Sequence, residues 1–320
     1  MFILIKPFSR ISKNFLIYFL MMIPVVCISN VTLKAQDNSN SKKKNEIIDQ
    51  DQKELDKAKK LHVKSRSKYV ALYDNNGKIH GRVELGEKVL FDKRGFRKTY
   101  IRYKGLGKMD FKYSYNYNSK GDLVEAATYD SKGVMATKRI SKYDKKGNEL
   151  ERKMVDFDHQ TDTKAVFKYD KDGNIIDTKT YSGKGELLND LIVTYKNGQI
   201  IKAITKNSRG DVTQEVNSVY DSYGRVVKED RKTDQGTYSI NYKYDSRGNL
   251  VEISNPEYRR TYEYDGNNDL IEDKMYLPNG ARQFRVQFIY YPNGLLKEEI
   301  RYTTQDKPAF NGKYEYEFYK

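Results

Sequence analysis

The chain has 320 residues, a formal net charge of +15, and 28 tyrosines but no tryptophan. Charged residues make up 32% of the sequence, which excludes a large apolar core and leaves tyrosine to supply much of the buried surface. The single cysteine, Cys27, lies in an apolar leader, which excludes a disulfide or a cysteine metal site in the processed protein. Val25 and Val26 also disfavour lipid attachment at Cys27, because that modification needs a small residue directly before the cysteine.

The first 35 residues have the order of features typical of a secretory signal peptide. Lys6, Arg10 and Lys13 precede an apolar run, and a small residue, Ala35, follows it. We therefore predict that residues 1–35 are a signal peptide and that the protein is exported, to the periplasm, the outer surface or the extracellular space. An uncleaved membrane anchor stays open, because the apolar run is close to the shortest that spans a bilayer. The sequence LKAQ at its end resembles export signals common among Bacteroidota.

Residues 36–68 form a charged segment without aromatic side chains, which predicts a solvated linker. A weak helix over about residues 46–63 is an equal alternative, because five apolar residues have helical spacing: Ile47, Ile48, Leu55, Ala58 and Leu61. Such a helix would be able to cap the first exposed edge of a sheet.

From Tyr69 to Lys320 the chain repeats one short unit. In YDKDGNIIDTKTY, residues 169–181, an aromatic residue leads into Asp-x-x-Gly and a polar-alternating run follows. Aspartate at the first turn position accepts backbone hydrogen bonds, and glycine at the fourth suits the left-handed conformation of a bulged hairpin loop. We predict structural turns at six such pairs: Asp74 with Gly77, Asp130 with Gly133, Asp144 with Gly147, Asp170 with Gly173, Asp221 with Gly224, and Asp245 with Gly248.

The segments between these turns alternate with the period of a strand. In SINYKYD, Ile240, Tyr242 and Tyr244 fall on one face of the strand, with polar residues between them. Gly121, Gly147 and Gly173 are spaced by 26 residues, and further turn candidates halve this spacing, so the 26-residue unit is a hairpin. We predict an all-β fold over residues 69–320, an elongated, curved antiparallel meander of about 20 strands.

The repeat resembles a known family. YDSYGRVV and YDSRGNLV resemble the YD repeat of RHS-type bacterial surface and secreted proteins, and YKNGQIIK and YYPNGLLKEE resemble the Tyr-x-Asn-Gly relatives of MORN repeats in antitoxin-like proteins. The resemblance implies an array of β-hairpins, which forms a shell around a toxin in large members and mediates carbohydrate or surface contacts in others. The C-terminal sequence KYEYEFYK is one more strand, where large members have a processing motif and a toxin domain.

The sequence contains no arrangement of residues that predicts catalysis, a cofactor or a metal. His62, His80 and His159 lie in linker and turns without a recurrent partner. Asp170 and Asp172 before Gly173 are similar to part of a calcium loop, but glycine is fourth where that loop needs it sixth, so a hairpin turn is the better interpretation.

We therefore predict a noncatalytic exported repeat protein that is a binding or scaffold module at the cell envelope or outside the cell. A component of a toxin and immunity system and an enzyme with an unrecognised site stay open as alternatives. The expected partners are an anionic or saccharide polymer or another envelope protein, because the surface is basic and rich in tyrosine. Export argues against cytosolic nucleic acid, and membrane contact is expected only through a retained leader.

Overall fold

The computed structural model of the protein describes residues 50–74 and 76–320. The predicted signal peptide and the first part of the predicted linker lie outside the described residues. The described chain begins with one helix, α1 (Gln50–Lys60), which lies within the range expected for a linker helix. No helix in the described part of the chain has both the length and the apolar character needed to cross a membrane.

Strands occupy almost all of the remaining chain. The first ten are β1 (Val63–Tyr73), β2 (Ile79–Phe91), β3 (Arg97–Tyr103), β4 (Met109–Tyr117), β5 (Leu123–Tyr129), β6 (Met135–Tyr143), β7 (Glu149–Asp156), β8 (Thr161–Tyr169), β9 (Ile175–Ser182) and β10 (Leu187–Lys196). The next ten are β11 (Gln199–Asn207), β12 (Val212–Tyr220), β13 (Val226–Thr233), β14 (Gly236–Tyr244), β15 (Leu250–Ser254), β16 (Arg259–Tyr264), β17 (Leu270–Tyr276), β18 (Arg282–Tyr290), β19 (Leu296–Tyr302) and β20 (Pro308–Phe318).

These strands form one closed antiparallel barrel of 20 strands. Each strand pairs with the next along the chain, which confirms the predicted all-β meander of hairpins. The last strand then pairs with the first, with Arg66 opposite Tyr316 and Lys68 opposite Tyr314. Because β20 covers the outer edge of β1, the sheet has no free edge that a helix would need to cap.

Many of the turns share one hydrogen-bond pattern, which the turn between β6 and β7 illustrates. Asp144 Oδ1 accepts hydrogen bonds from the backbone nitrogens of Lys146 and Asn148, at 2.8 and 2.9 Å. Gly147 has a φ of 88° and donates its amide to the Asp144 carbonyl. The register shifts by one residue just before the turn, at Tyr143. The aspartate thus satisfies the amides of the loop, and glycine allows the backbone to turn.

Helix α1 lies at one end of the barrel, which we call the helix end. It touches the β2–β3 turn, where a Cβ on Gly95 would lie 2.6 Å from Lys59 Cα, and the β16–β17 turn, where Lys53 Nζ donates to the Asn268 carbonyl across 2.6 Å. These turns are separated by the six strands β17, β18, β19, β20, β1 and β2, roughly 29 Å along the sheet, whereas the 11-residue helix is about 16 Å long. A helix shorter than this arc reaches both turns only from the concave side of the sheet.

The face of the sheet that α1 covers is therefore the inner face of the barrel. Ala58, which is 2% exposed, packs there with Val89 and Phe91. Cross-strand pairing extends this assignment around the barrel, because residues directly opposite each other on paired strands share a face. The strand residue just before each helix-end tyrosine points outward, and examples such as Lys243 and Ile289 are exposed.

Two further clusters of buried side chains lie on the inner face. One contains Ile240, Tyr242, Leu250 and Ile253, and the other contains Val193, Ala203 and Val216. Both clusters are small and lie on neighbouring strands, as expected for a chain with few apolar residues. The barrel therefore depends on its continuous backbone pairing as well as on apolar packing.

Candidate functional site

A row of tyrosines surrounds the inner face at the helix end. Each is at or near the C-terminal end of an even-numbered strand, and its hydroxyl donates to a backbone carbonyl near the start of the preceding odd-numbered strand at 2.8–3.0 Å. The eight pairs are Tyr143 with Leu123, Tyr169 with Glu149, Tyr195 with Ile175, Tyr220 with Ile200, Tyr244 with Val226, Tyr264 with Leu250, Tyr290 with Leu270, and Tyr316 with Leu296. We call these eight residues the tyrosine row. From β5 to β20, each of these bonds joins two neighbouring strands next to the turns of the helix end.

Burial changes the acidity of the tyrosine row. It raises the pKa of Tyr169, Tyr195, Tyr244 and Tyr264 to about 12, because an ionised phenol is poorly solvated there. The hydroxyls therefore stay protonated at neutral pH. They are hydrogen-bond donors and do not have the low pKa of a catalytic nucleophile.

Arginines paired with carboxylates lie farther along the inner face. Arg139 and Arg152 both bond Glu149, with Nη2 of Arg139 and Nε of Arg152 each 3.0 Å from Oε1. Burial alone would raise the pKa of Glu149, but hydrogen bonds from Arg152 and Ser141 and the two arginine charges outweigh it and lower the pKa. Glu149 is therefore ionised at neutral pH, and this group of two arginines and one carboxylate has a net charge of +1.

Similar pairs occur on other strands of the inner face. Arg231 is only 1% exposed and bonds Glu229, and Arg260 forms a bidentate pair with Asp273 at 2.8 and 2.5 Å. Fork-shaped pairs of this kind fix the direction of the guanidinium group.

The seam between β20 and β1 has a cluster of buried charges. Lys68 Nζ lies 3.0 Å from Glu299 Oε1 and 3.6 Å from Glu87 Oε1. The Tyr314 hydroxyl donates to Glu299 Oε2 across 2.7 Å, and Arg66 bonds Glu54 of α1. Removing one member of the cluster would leave a buried charge without its partner, which would weaken the closure of the barrel and the attachment of the helix.

An aromatic strip runs along the inner face of β3 and β4. It consists of Tyr100, Phe111, Tyr113, Tyr115 and Tyr117. The centroid of the Tyr113 ring lies 6.0 Å from that of Tyr100, 5.3 Å from that of Phe111 and 6.4 Å from that of Tyr115. Phe96 stacks on Tyr117, with the two ring centroids 4.9 Å apart. These rings form a continuous apolar wall from the helix end toward the opposite end of the barrel.

The outer face of the barrel carries charged pairs along its strands. Representative pairs are Lys138 with Glu125, Lys202 with Glu215, and Lys243 with Glu252, at 2.8–2.9 Å. Basic groups also lie over outward tyrosine rings, such as Lys112 Nζ at 3.9 Å from the Tyr129 centroid. A surface of this composition faces water.

One pair of carboxylates, Asp177 and Asp190, lies on neighbouring strands of the outer face. Burial and the nearby charge of Asp190 raise the pKa of Asp177. Lys179 Nζ lies between the carboxylates, 2.7 Å from Asp190 and 4.0 Å from Asp177. The pair forms a surface ion cluster on two adjacent strands and does not lie on the inner face.

The six aspartates predicted at turns divide between the two ends of the barrel. Asp144, Asp170, Asp221 and Asp245 lie at the helix end, and Asp74 and Asp130 lie at the opposite end. In the turn whose sequence is similar to part of a calcium loop, Asp170 Oδ1 accepts from the amides of Asp172 and Asn174, and its Oδ2 accepts from Asn174 Nδ2.

The histidines take up local positions. His62 follows α1 in a left-handed conformation with φ 53°, as is common just after a helix, and His159 Nδ1 lies 2.9 Å from Asp156 Oδ2. Over residues 50–74 and 76–320, no group of three or more His, Cys, Asp or Glu side chains is arranged to hold a metal ion.

The arginine pairs of the inner face were not predicted from the sequence. Arg139 is four residues before Tyr143, and Glu149 lies near the start of the next strand. Residues two or four positions before a helix-end tyrosine share its face, so the period of two was a usable signal for Arg139. The sequence does not show that the sheet closes, however, so this signal did not distinguish an inner face from an outer one.

No protein family model matches the chain, and no curated protein matches it. Among solved structures, a porin-like protein from Bacteroides uniformis has a TM-score of 0.37 and 10% identity, covering 80% of this chain and 97% of that chain. A porin-like protein from Bacteroides vulgatus has a TM-score of 0.24 and 13% identity, with coverage of 80% and 98%. The Tc holotoxin pore of Photorhabdus luminescens has a TM-score of 0.27 and 12% identity, covering 76% of this chain and 19% of that one. Similarity of this extent does not identify a function, and the resemblance to YD repeats stays a prediction.

Proposed function

We propose that the protein is a noncatalytic, exported binding or scaffold module of the cell envelope or the extracellular space. The observation that carries this proposal is the repeated surface of the inner face. The tyrosine row continues through eight hairpin contacts, and arginines such as Arg139, Arg152, Arg231 and Arg260 lie on the same face.

This repeated surface supports binding of an extended ligand. Aromatic rings supply apolar area with few rotatable bonds, and arginine recognises carboxylate and phosphate groups with fixed geometry. Contacts from several hairpins add to the affinity for an extended ligand. Export follows from the predicted leader and is part of the proposal.

A glycan array, probed with protein purified from the exported fraction, tests this function. We expect binding to acidic polysaccharides that weakens as salt rises, because part of the attraction is between charges. The bound polymer should keep its length and chemical composition during prolonged incubation. Cleavage or modification of the polymer would contradict a noncatalytic role, and failure to bind any polymer or envelope fraction would contradict the binding function.

A further inference from the structure

Three neighbouring strands form a slot on the inner face of the barrel. Tyr115 on β4 lies opposite Ala126 on β5, which lies opposite Arg139 on β6. In the next inner row, Tyr113 lies opposite Thr128, which lies opposite Thr137. The slot therefore has an aromatic wall, a floor of short side chains, and a second wall that carries a guanidinium group.

The width of the slot follows from the sheet. Adjacent strands are about 4.8 Å apart, so β4 and β6 are roughly 10 Å apart across β5. Ala126 and Thr128 have short side chains, whereas the tyrosines on β4 and Arg139 on β6 have long ones that extend farther from the sheet. A space of this size accepts a six-membered sugar ring lying edge-on to the floor.

The aromatic wall suits the apolar face of a sugar. Tyr113 and Tyr115 have ring centroids 6.4 Å apart and planes inclined by only 21°, so the two rings are nearly parallel. The face of an aromatic ring carries partial negative charge, which attracts the axial C–H groups of a pyranose. Phe111 and Tyr100 extend this wall next to Tyr113.

The opposite wall suits a carboxylate. Arg139 is held in place by Ser141 Oγ and Glu149, both at 3.0 Å. Because Arg152 shares Glu149, the local charge is +1, which favours an anionic group. Where the floor meets this wall, the hydroxyl oxygens of Thr128 on β5 and Thr137 on β6 lie 2.7 Å apart and are able to hydrogen-bond sugar hydroxyls.

Water reaches this part of the inner face. Met154 lies opposite Arg139 on β7, on the side away from the slot, and it is 39% exposed. The side chain of Arg139 is itself 26% exposed. The walls are thus accessible from the interior of the barrel.

We propose that this slot binds an acidic saccharide, with a pyranose ring against Tyr113 and Tyr115 and its carboxylate at Arg139. The proposal rests on the proposed binding function and adds to it the place and the chemistry of recognition. A neutral saccharide would keep the stacking contact but lose the charge contact, so it should bind more weakly.

The test measures binding of the full chain to three probes by titration calorimetry: tetragalacturonate, cellotetraose and a short oligothymidylate. We expect tetragalacturonate to bind at least tenfold more tightly than cellotetraose. Tyr115→Leu and Arg139→Gln should each raise the Kd for tetragalacturonate at least tenfold, and Arg139→Lys should do so to a smaller extent because it keeps the charge but loses the fork.

Tyr129→Leu and Arg259→Gln are matched controls, because both side chains lie on the outer face; they should leave the Kd unchanged. The unfolding midpoint of each variant is measured first. If Tyr115→Leu does not fold, the result for Arg139→Gln decides the test. Wild-type affinity retained in the folded slot variants would overturn the slot and leave the binding function standing. Preference for oligothymidylate or cellotetraose would also overturn it, and binding to no probe or array polymer would overturn both proposals.

Discussion

The Tyr290 hydroxyl donates a 2.8 Å hydrogen bond to the carbonyl of Leu270, twenty residues earlier in the chain. The bond joins the end of β18 to the start of β17, next to the turns that α1 contacts. The same contact recurs through the tyrosine row, with Tyr195 and Ile175 as a member far from the helix. Eight tyrosine hydroxyls therefore link neighbouring strands at the helix end from β5 to β20.

Loss of one such hydroxyl should destabilise the barrel measurably. We expect Tyr195→Phe to lower the free energy of unfolding by about 1 kcal/mol, because the ring stays packed while the Ile175 carbonyl loses its donor. Tyr223→Phe is the control, since this ring is 74% exposed and water is available to its hydroxyl. Urea denaturation of both variants gives the comparison, and equal values would contradict a stabilising role for the row.

Alkaline pH should unfold the protein through the tyrosine row. The folded-state pKa of Tyr169, Tyr195, Tyr244 and Tyr264 is raised to about 12 by burial, whereas tyrosine in an unfolded chain ionises near pH 10. Below about pH 10 this contribution to stability is fully present. As pH rises from about 10 to 12, the unfolded state loses protons that the folded state keeps, so the free energy of unfolding falls.

Tyrosinate absorbance and circular dichroism, recorded together during a base titration, check this expectation. The buried tyrosines should ionise in the same transition in which the sheet signal is lost. Complete ionisation near pH 10 with the sheet signal intact would show that the row is not shielded from water. Tyr195→Phe should reduce the number of tyrosines that ionise late by one.

Contact with α1 should make Gly95 more sensitive to substitution than its equivalent at the opposite end. Gly95 and Gly133 have almost the same φ, 83° and 81°, so alanine costs a similar backbone strain of about 1 kcal/mol at each. A Cβ at Gly133 has no atom within 4 Å, whereas one at Gly95 would overlap Lys59. We expect Gly95→Ala to be more destabilising and to make the chain easier for trypsin to cleave after Lys57 and Lys59, because α1 is held less firmly.

The difference between the two variants isolates the helix contact, because the strain is common to both. Limited trypsin digestion followed by mass spectrometry reports cleavage within α1. Equal stability of Gly95→Ala and Gly133→Ala, with α1 equally resistant in both, would mean that the helix does not depend on this turn.

The sequence was informative about local structure. Asp144 with Gly147 and its equivalents predicted hairpins, and the alternation around Tyr244 predicted strands, because both signals depend on neighbouring residues alone. Closure depends on pairing between β1 and β20, the first and last strands, which are far apart in the sequence. SKYVALY in β1 and KYEYEF in β20 are rich in tyrosine like the other strands, so no local feature identifies them as partners.

The candidate slot could not be predicted for a related reason. Tyr115, Ala126 and Arg139 lie on three strands, and their alignment depends on the register shifts next to each turn. A shift of one residue would place Arg139 on the outer face. The residue types were visible in the sequence, but their common row required the register and the closed sheet.

Removal of whole hairpins should be tolerated better than removal of single strands. Deleting Lys145 to Asp170 takes out β7 and β8 and joins Asp144 to Lys171, which restores an Asp-x-x-Gly turn. It leaves 18 strands, an even number, so β1 and β20 still meet antiparallel. The deleted strands lie away from the turns that α1 contacts. We expect a soluble, cooperatively unfolding protein of lower stability.

Deleting Asp130 to Tyr143 takes out β6 alone and joins Tyr129 to Asp144, so the turn sequence is again restored. Nineteen strands remain, and every strand after the deletion reverses its direction relative to β1. β20 would then run parallel to β1, which is incompatible with pairs such as Arg66 with Tyr316 and would expose two strand edges. We expect this variant to aggregate. Size-exclusion chromatography and urea denaturation compare the two deletions, and equal soluble yields would contradict the requirement for an even number of strands.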